Sequence, residues 1–351
     1  MSKKSKNNIG EKYGYTKKYL NNSCTNFSLS IKKKYSDSDL IPTKLSILTY
    51  NIWGIFKHTK KEKGYKFLKK IIKTRMLLIY NEINKYKPDI VCIQEMTNIA
   101  LKYLKLAGID KLFKYQFEEN FDSSILEKNR NKCAEVFVFS NFKPQKIKIY
   151  SIEGNQGYNT SLMTIEFANL IIFNCYLQAG SKYSPGQCDL WYHYSRCRSE
   201  QISVISKLIN KNKYKSKACL FVGDFNFDLN GTSKDWPELK ELKKLDFIDS
   251  WKIINADSGY TEDTDINQMR WNYKFIHKKL RYDGILFKNI YPVSIKLIGT
   301  EPFILNYKNS NMFKKYFINN SNDKNRYYDE KNKLFAIWPS DHFGVLGYFE
   351  H

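Results

Sequence analysis

A chain of 351 residues with 42% hydrophobic and 16% aromatic side chains can bury a large core, in one large domain or two small ones, which excludes a disordered protein. The formal net charge of +23 favours polyanionic partners, nucleic acid or an anionic membrane surface, unless it only reflects the Lys, Asn, Ile and Tyr richness running through the whole sequence. No stretch approaches the roughly 20 apolar residues of a membrane span, and the basic start Met1-Ser2-Lys3-Lys4-Ser5-Lys6 leads into no apolar segment; a soluble chain without a secretory signal is expected.

Residues 1–43 are polar, rich in Lys, Asn and Ser, and read as a mobile basic tail ended by Pro42, with the folded domain over 44–351. Leu45 to Tyr50 alternates toward a strand. Phe67, Leu68, Ile71, Ile72, Leu78, Ile79 and Ile83 recur at helical spacing before Pro88, and a continuous apolar strand follows from Asp89 to Glu95. Further strands are predicted at Glu135 to Ser140, Ser161 to Phe167, Leu170 to Leu177 and Ala218 to Phe225. An amphipathic helix is marked by Ile202, Ile205, Leu208 and Ile209. Strands at Tyr282 to Phe287, Val293 to Ile298 and Gly344 to Phe349 finish the chain, a pattern of packed sheets covered by helices. Residues 180–194, with Tyr183, Trp191, Tyr192, His193 and Tyr194, read as an aromatic loop, and 300–336 as a long loop with a disordered centre. Of the seven cysteines, Cys92, Cys175 and Cys219 lie in apolar runs where a thiol packs as a small hydrophobe. Cys24, Cys133, Cys188 and Cys197 complete a set with no CxxC pair, so a reduced intracellular compartment is expected and cysteine-bound zinc is not.

Four segments at the ends of these apolar runs carry chemistry: Tyr50-Asn51-Ile52-Trp53-Gly54, Ile93-Gln94-Glu95, Gly223-Asp224-Phe225-Asn226 and Ser340-Asp341-His342-Phe343-Gly344. Hydrolysis of a phosphodiester takes a metal to polarise the phosphoryl oxygens, a positioned water, and help for the leaving oxygen. Glu95 ends an apolar strand, where a carboxylate is costly unless paired or bound to a hard cation such as Mg2+. Asn51 can orient that metal or bind a phosphate oxygen. Asp224 and Asn226 alternate, so both are expected on the same face of their strand. A carboxylate and an amide so placed can hold the attacking water and donate to a phosphoryl oxygen. His342 can stabilise developing charge as a cation, and Asp283 is the best candidate to orient it.

These segments resemble the endonuclease/exonuclease/phosphatase superfamily over residues 44–351. Its members include pancreatic-type DNases, abasic-site endonucleases, tyrosyl-DNA phosphodiesterases, inositol-phosphate phosphatases and neutral sphingomyelinases. The resemblance implies an α/β fold, a four-layered sandwich of two central, mostly antiparallel sheets flanked by helices, with Mg2+ or Mn2+ as cofactor. It implies Asn51 and Glu95 at the metal end with Asp341 nearby. Asp224 and Asn226 would align the nucleophile and phosphate, and Asp283 and His342 would form a carboxylate–imidazole pair. Asn174-Cys175-Tyr176-Leu177-Gln178-Ala179 is similar to a sphingomyelinase-like segment that has histidine where this chain has Tyr176. Abasic-site endonucleases have tyrosine there, and a phenol can serve the leaving oxygen. Asn174 and Arg198 join Asn51 as candidate substrate-binding residues, Arg198 and Gln201 recurring in sphingomyelinase-like and tyrosyl-DNA phosphodiesterase-like members. The Arg281-Tyr282-Asp283 and Pro339 to Gly344 segments resemble the tyrosyl-DNA phosphodiesterase pattern more closely.

A nuclease or DNA-end-processing phosphodiesterase is therefore the first expectation. Its basic surface would bind backbone phosphates, and aromatics at 183–194 would stack on bases. A sphingomyelinase-like phospholipase C at a lipid surface is the alternative, and a non-catalytic binding member of the fold is a third reading, opposed by the intact Glu95, Asp224, Asn226 and His342.

Overall fold

A computed structural model describes residues 27–54, 65–117, 135–153, 159–180, 189–210, 214, 216–267, 269, 278–306, 328–329 and 334–351. The first half of the chain contributes β1 (Phe27–Lys34), β2 (Lys44–Asn51), β3 (Ile90–Met96), β4 (Tyr115–Phe117), β5 (Glu135–Ser140), β6 (Lys146–Glu153), β7 (Asn159–Glu166) and β8 (Leu170–Tyr176). The second half contributes β9 (Ala218–Asp224), β10 (Ile248–Asp249), β11 (Glu262–Asp263), β12 (Lys279–Leu280), β13 (Asp283–Lys288), β14 (Tyr291–Ile298), β15 (Phe303–Asn306), β16 (Tyr328–Asp329), β17 (Leu334–Ile337) and β18 (Gly344–Glu350). The helices are α1 (Tyr65–Tyr86), α2 (Asn98–Ala107), α3 (Asp189–Ile209), α4 (Glu238–Lys243) and α5 (Ser250–Ile254).

Two large sheets form the centre. One runs β1-β6-β7-β8-β9-β13-β10, the other β14-β18-β2-β3-β5-β4. Each has one parallel pair, β8 with β9 and β2 with β3, and its other pairings are antiparallel. A parallel pair needs a long crossover, and here each is bridged by a long helix, α3 and α1 respectively.

Strand alternation sorts the apolar side chains into three cores. Leu170 and Ile172 of β8 face the other sheet with Ile47, Ile90 and Cys92, whereas Ile171, Phe173 and Cys175 face Ile202, Ile205 and Ile209 of α3. On the far side, Leu48, Val91 and Ile93 meet Ile72, Met76, Ile79 and Ile83 of α1. The result is an α/β fold in which two sheets pack on each other and helices pack on the sheets.

Four expectations are corrected. Residues 27–34 are not tail: β1 pairs with β6 along the sheet edge, and Ile41 is buried in the inter-sheet core, so described structure begins well before residue 43. Trp191 to Tyr194 lie on the first turns of α3 and not in a loop; residues 181–188, with Tyr183, are outside the described residues. Within 300–336, β15, β17 and β16 form a small sheet, and the expected disordered centre lies outside the described residues. Cys92, Cys175 and Cys219 are free and buried as expected, but Cys197 is disulfide-bonded, against the all-reduced reading. Among the described residues no helix is long and apolar enough to cross a membrane.

Candidate active site

The two parallel pairs point the same way, and their C-terminal ends bring the four segments together. Asn51 ends β2 and Asp224 ends β9; across the sheet interface Asn51 Nδ2 donates to Asp224 Oδ2 at 2.8 Å. Asn51 Nδ2 also lies 3.4 Å from Glu95 Oε1, and its own Oδ1 accepts from the Trp53 amide at 2.9 Å. The amide is therefore held at both ends and turns its N–H toward the two carboxylates.

Glu95 reaches this point through a distortion. Simple alternation along β3 would place it with Val91 and Ile93, under the α1 layer. A bulge between Ile93 and Met96, with Glu95 at φ +58°, turns the side chain to the other face. There Tyr176, at the end of β8, donates its hydroxyl to Glu95 Oε1 at 2.9 Å. Burial and the neighbouring Glu95 and Asp224 carboxylates hold the Tyr176 phenol well above its usual range, so it stays protonated and acts as a donor.

Asp224 faces Asp283 directly across the β9–β13 ladder. Asp283 Oδ2 accepts from His342 Nδ1 at 2.7 Å, and both groups are buried. Burial pulls the imidazole down, but Asp283, then Asp341 and Asp224, outweigh it and raise His342 to about 10. His342 is consequently a cation at neutral pH. Asp224 is pushed up, first by burial and then by Asp283, with His342 and the Asn51 hydrogen bond opposing. Ser340 Oγ donates to the Asn51 carbonyl at 2.7 Å and lies 3.2 Å from Asp341 Oδ1, which fixes the Asp341–His342 segment on the end of β2.

Other expected positions differ. Asp224 and Asn226 do not alternate along a strand: β9 stops at Asp224, and Asn226 is at φ +55° in a turn closed by its backbone amide on Asp224 Oδ1 at 2.8 Å. Asn226 Nδ2 donates to the Leu177 carbonyl at 2.9 Å, which keeps it beside Tyr176. Asn174 is fully buried between the sheets; its Oδ1 accepts from Gln94 Nε2 at 2.8 Å and its Nδ2 donates to the Phe137 carbonyl at 3.2 Å, so it is not exposed to substrate. Arg198 is buried behind the site, with Nε donating to Glu238 Oε1 at 2.7 Å and Nη1 to the Gln178 carbonyl at 3.2 Å. With Gln201 Oε1 accepting from the Gln178 amide at 2.9 Å, it fixes the segment after Tyr176 instead of meeting substrate.

Thr261 and Arg75 are residues that sequence reasoning missed. Thr261 Oγ1 accepts from the Asp283 amide at 3.1 Å and its carbonyl from the Phe343 amide at 2.8 Å, joining both halves of the ion pair. Nothing in the sequence around Thr261 signals this. Arg75 does carry a signal, because it interrupts the apolar stripe of α1 formed by Ile72, Met76, Ile79 and Ile83.

The donor chemistry distinguishes two spots. Asp224, Asp283 and His342 place ligand-type atoms within 4.8 Å of one another. That trio suits a proton, since His342 Nδ1 is committed to Asp283 and the ring is cationic. Glu95, with Asp341 on the adjoining segment, offers carboxylate oxygens that fit a hard divalent ion; Asn51, its Oδ1 held by the Trp53 amide, turns an N–H to Glu95 and orients it instead of supplying an oxygen ligand, and Cys175 faces α3, away from the spot.

The sequence matches the model of the Endonuclease/Exonuclease/phosphatase family over residues 48–342. The chain belongs to this family. Members by name cleave phosphate esters, in keeping with a site of carboxylates, imidazole and amide. No curated protein sequence matches the chain significantly. Three similar solved structures bracket the family's range. D. rerio TDP2 complexed with single-strand DNA product is 17% identical, with 88% of this chain and 100% of that chain covered and a TM-score of 0.53. SmcL is 16% identical, with 89% and 100% covered and a TM-score of 0.59. A mutant Staphylococcus aureus beta toxin with bound magnesium ions is 17% identical, with 87% and 99% covered and a TM-score of 0.54. At these identities the similarity establishes the fold.

Proposed function

We propose that the chain is a divalent-metal-dependent phosphodiester hydrolase acting on nucleic acid. The observation that carries the hydrolase reading is the buried Asp224–Asp283–His342 cluster, linked through Asn51 to Glu95 and Tyr176. Glu95, with Asn51 and Asp341 beside it, would hold Mg2+ or Mn2+, which would polarise the phosphoryl oxygens. Asp224, with its carboxyl raised out of the usual range, takes the proton of the attacking water. His342, kept cationic by Asp283, stabilises charge gathering on a phosphoryl oxygen. Tyr176, whose one hydroxyl hydrogen points at Glu95 Oε1, would turn it to the leaving oxygen as the phosphorus–oxygen bond breaks. One N–H of Asn226 is spent on Leu177, and the same side chain hydrogen-bonds the Tyr176 hydroxyl, so Asn226 aims Tyr176 at the phosphate.

Nucleic acid is favoured as substrate by the net charge of +23, which suits a phosphate backbone. A phospholipid headgroup is the second reading. Phe303 and Ile304, on opposite faces of β15, are both exposed, and β15 pairs with β17, which leads into Trp338-Pro339 and the Asp341–His342 segment. The test is Mg2+-dependent turnover of DNA, offered nicked, abasic and 5′-phosphotyrosyl, beside sphingomyelin in mixed micelles, with Glu95→Ala as control. Cleavage of DNA alone supports the first reading, and phosphocholine release alone replaces it with the second. Full activity in Glu95→Ala removes the metal assignment.

A further inference from the structure

Arg75 projects from the middle of α1 toward the site and is buried. Its fork meets backbone carbonyls of two separate site segments: Nη2 donates to Ile52 at 2.6 Å, Nη1 to Trp53 at 3.1 Å and Nε to Pro339 at 3.1 Å. The guanidinium also lies 4.7 Å from the centroid of the Trp53 ring. Trp53 itself is at φ +46°, a left-handed conformation that a bulky residue keeps only when its surroundings enforce it. The Trp53 amide is the donor to Asn51 Oδ1, and Asn51 in turn donates to Asp224.

We propose that Arg75 is a positioning residue for the site: it holds Trp53 in its left-handed conformation and ties the Asn51 segment to the Asp341–His342 segment, thereby aiming Asn51. The kinetic part of this proposal rests on the phosphodiesterase reading; the binding part does not. A planar guanidinium spans carbonyls in different directions, whereas a lysine ammonium is a point charge on a flexible stem. Charge at position 75 is therefore not enough, and the fork itself is needed.

The experiment compares Arg75→Lys, Trp53→Gly and the double variant with the wild-type chain. Turnover of bis(p-nitrophenyl) phosphate gives kcat and KM, and calorimetric titration with Mn2+, run well below the melting temperature of every variant so that the folded fraction is near one, gives a dissociation constant that unfolding does not shift. Arg75→Lys is expected to lower kcat about 10²-fold with KM nearly unchanged, the loss typical of a reacting group misplaced by about 1 Å. It is also expected to weaken Mn2+ binding about tenfold, through a misaimed Asn51 beside Glu95. Glycine adopts positive φ without strain, so in the Trp53→Gly background the same substitution should cost several-fold less in kcat and in Mn2+ affinity. Equal losses in both backgrounds, or a lowered melting temperature with unchanged kcat and Mn2+ affinity, would overturn the proposal. A wild-type chain that binds Mn2+ but hydrolyses no phosphodiester would instead refute the functional reading, and the Mn2+ constants would still decide on Arg75.

Discussion

Replacing Asp283 with asparagine keeps the shape of the His342 partner and removes its charge. The wild-type imidazole titrates at about 10, held there by Asp283 and, to a smaller extent, by Asp341 and Asp224, against burial. Without the Asp283 carboxylate, burial is opposed only by Asp341 and Asp224, and a ring returned to about its ordinary 6.5 is the expected outcome. At pH 8 the cationic fraction of His342 then falls from about 99% to about 3%, and at pH 6 only from about 100% to about 76%. The kcat deficit of Asp283→Asn relative to wild type should therefore be roughly 20-fold larger at pH 8 than at pH 6, on top of any pH-independent loss of ring orientation. Asp224 shifts in the same sense, since losing Asp283 lowers its carboxyl and favours the variant at acid pH. The stability sign is fixed as well. His342 is raised in the folded state, so its stabilisation is complete below pH 6.5 and is lost as pH rises through about 10. Asp283→Asn should destabilise the metal-free protein by a few kcal/mol, an order-of-magnitude figure, below pH 6.5 and by little above pH 10. The assays are pH–rate profiles, imidazole NMR and thermal denaturation. A kcat deficit independent of pH, or a His342 resonance titrating alike in both proteins, would show that Asp283 does not set the charge of the ring.

Three further outcomes are expected. Glu95→Gln should abolish calorimetric Mn2+ binding and lower turnover by about 10³-fold or more while the far-ultraviolet spectrum is retained, as should chelation in the wild type. Tyr176→Phe removes the donor to Glu95 Oε1 and should slow cleavage of alkyl esters more than of nitrophenyl esters; equal slowing would end its role at the leaving oxygen. Gly223→Ala should cost about 3 kcal/mol or more in urea denaturation and also reduce activity, because Gly223 is at φ +141° and an added Cβ would lie 2.0 Å from the Cys175 carbonyl oxygen in the β8–β9 pair.

The sequence made the strand ends legible because central strands covered on both faces read as continuous apolar runs, and a polar residue closing such a run is conspicuous. It gives the face of a residue more readily than its depth. Asn174 and Tyr176 share the inward face of β8, yet the longer Tyr176 reaches Glu95 whereas Asn174, one repeat deeper, meets Gln94. Arg198 was legible as a polar residue on a helix, but its partner Glu238 lies 40 residues on, and only the fold brings the two together. β1 was lost in the tail because a lysine-rich edge strand carries little apolar periodicity of its own and is defined by its pairing with β6. The Glu95 bulge is of the same kind: period-two reasoning predicts the wrong face, and the error falls on a residue that matters for the site.

Departures from regular geometry are unevenly distributed, and their positions bear on how the site works. Among the described residues, the non-glycine positions with positive φ are Trp53, Lys87, Glu95, Asn226, Asp246 and Asn289. Lys87, Asp246 and Asn289 follow a helix or join two strands, where turns call for such a conformation. Trp53, Glu95 and Asn226 instead follow or interrupt the strands whose ends form the site, and two of them are residue types that rarely adopt it. Each is held from outside its own strand: Trp53 by Arg75 of α1, Asn226 by Leu177, and Glu95 by Tyr176. The segment carrying Leu177 is itself fixed by Arg198 and Gln201 of α3. The two crossover helices therefore do more than cover the sheets. Each sends an arginine inward onto backbone carbonyls beyond the strand ends of the parallel pair it bridges, Arg75 to Ile52 and Trp53 and Arg198 to Gln178, so both helices brace the segments that carry the site residues.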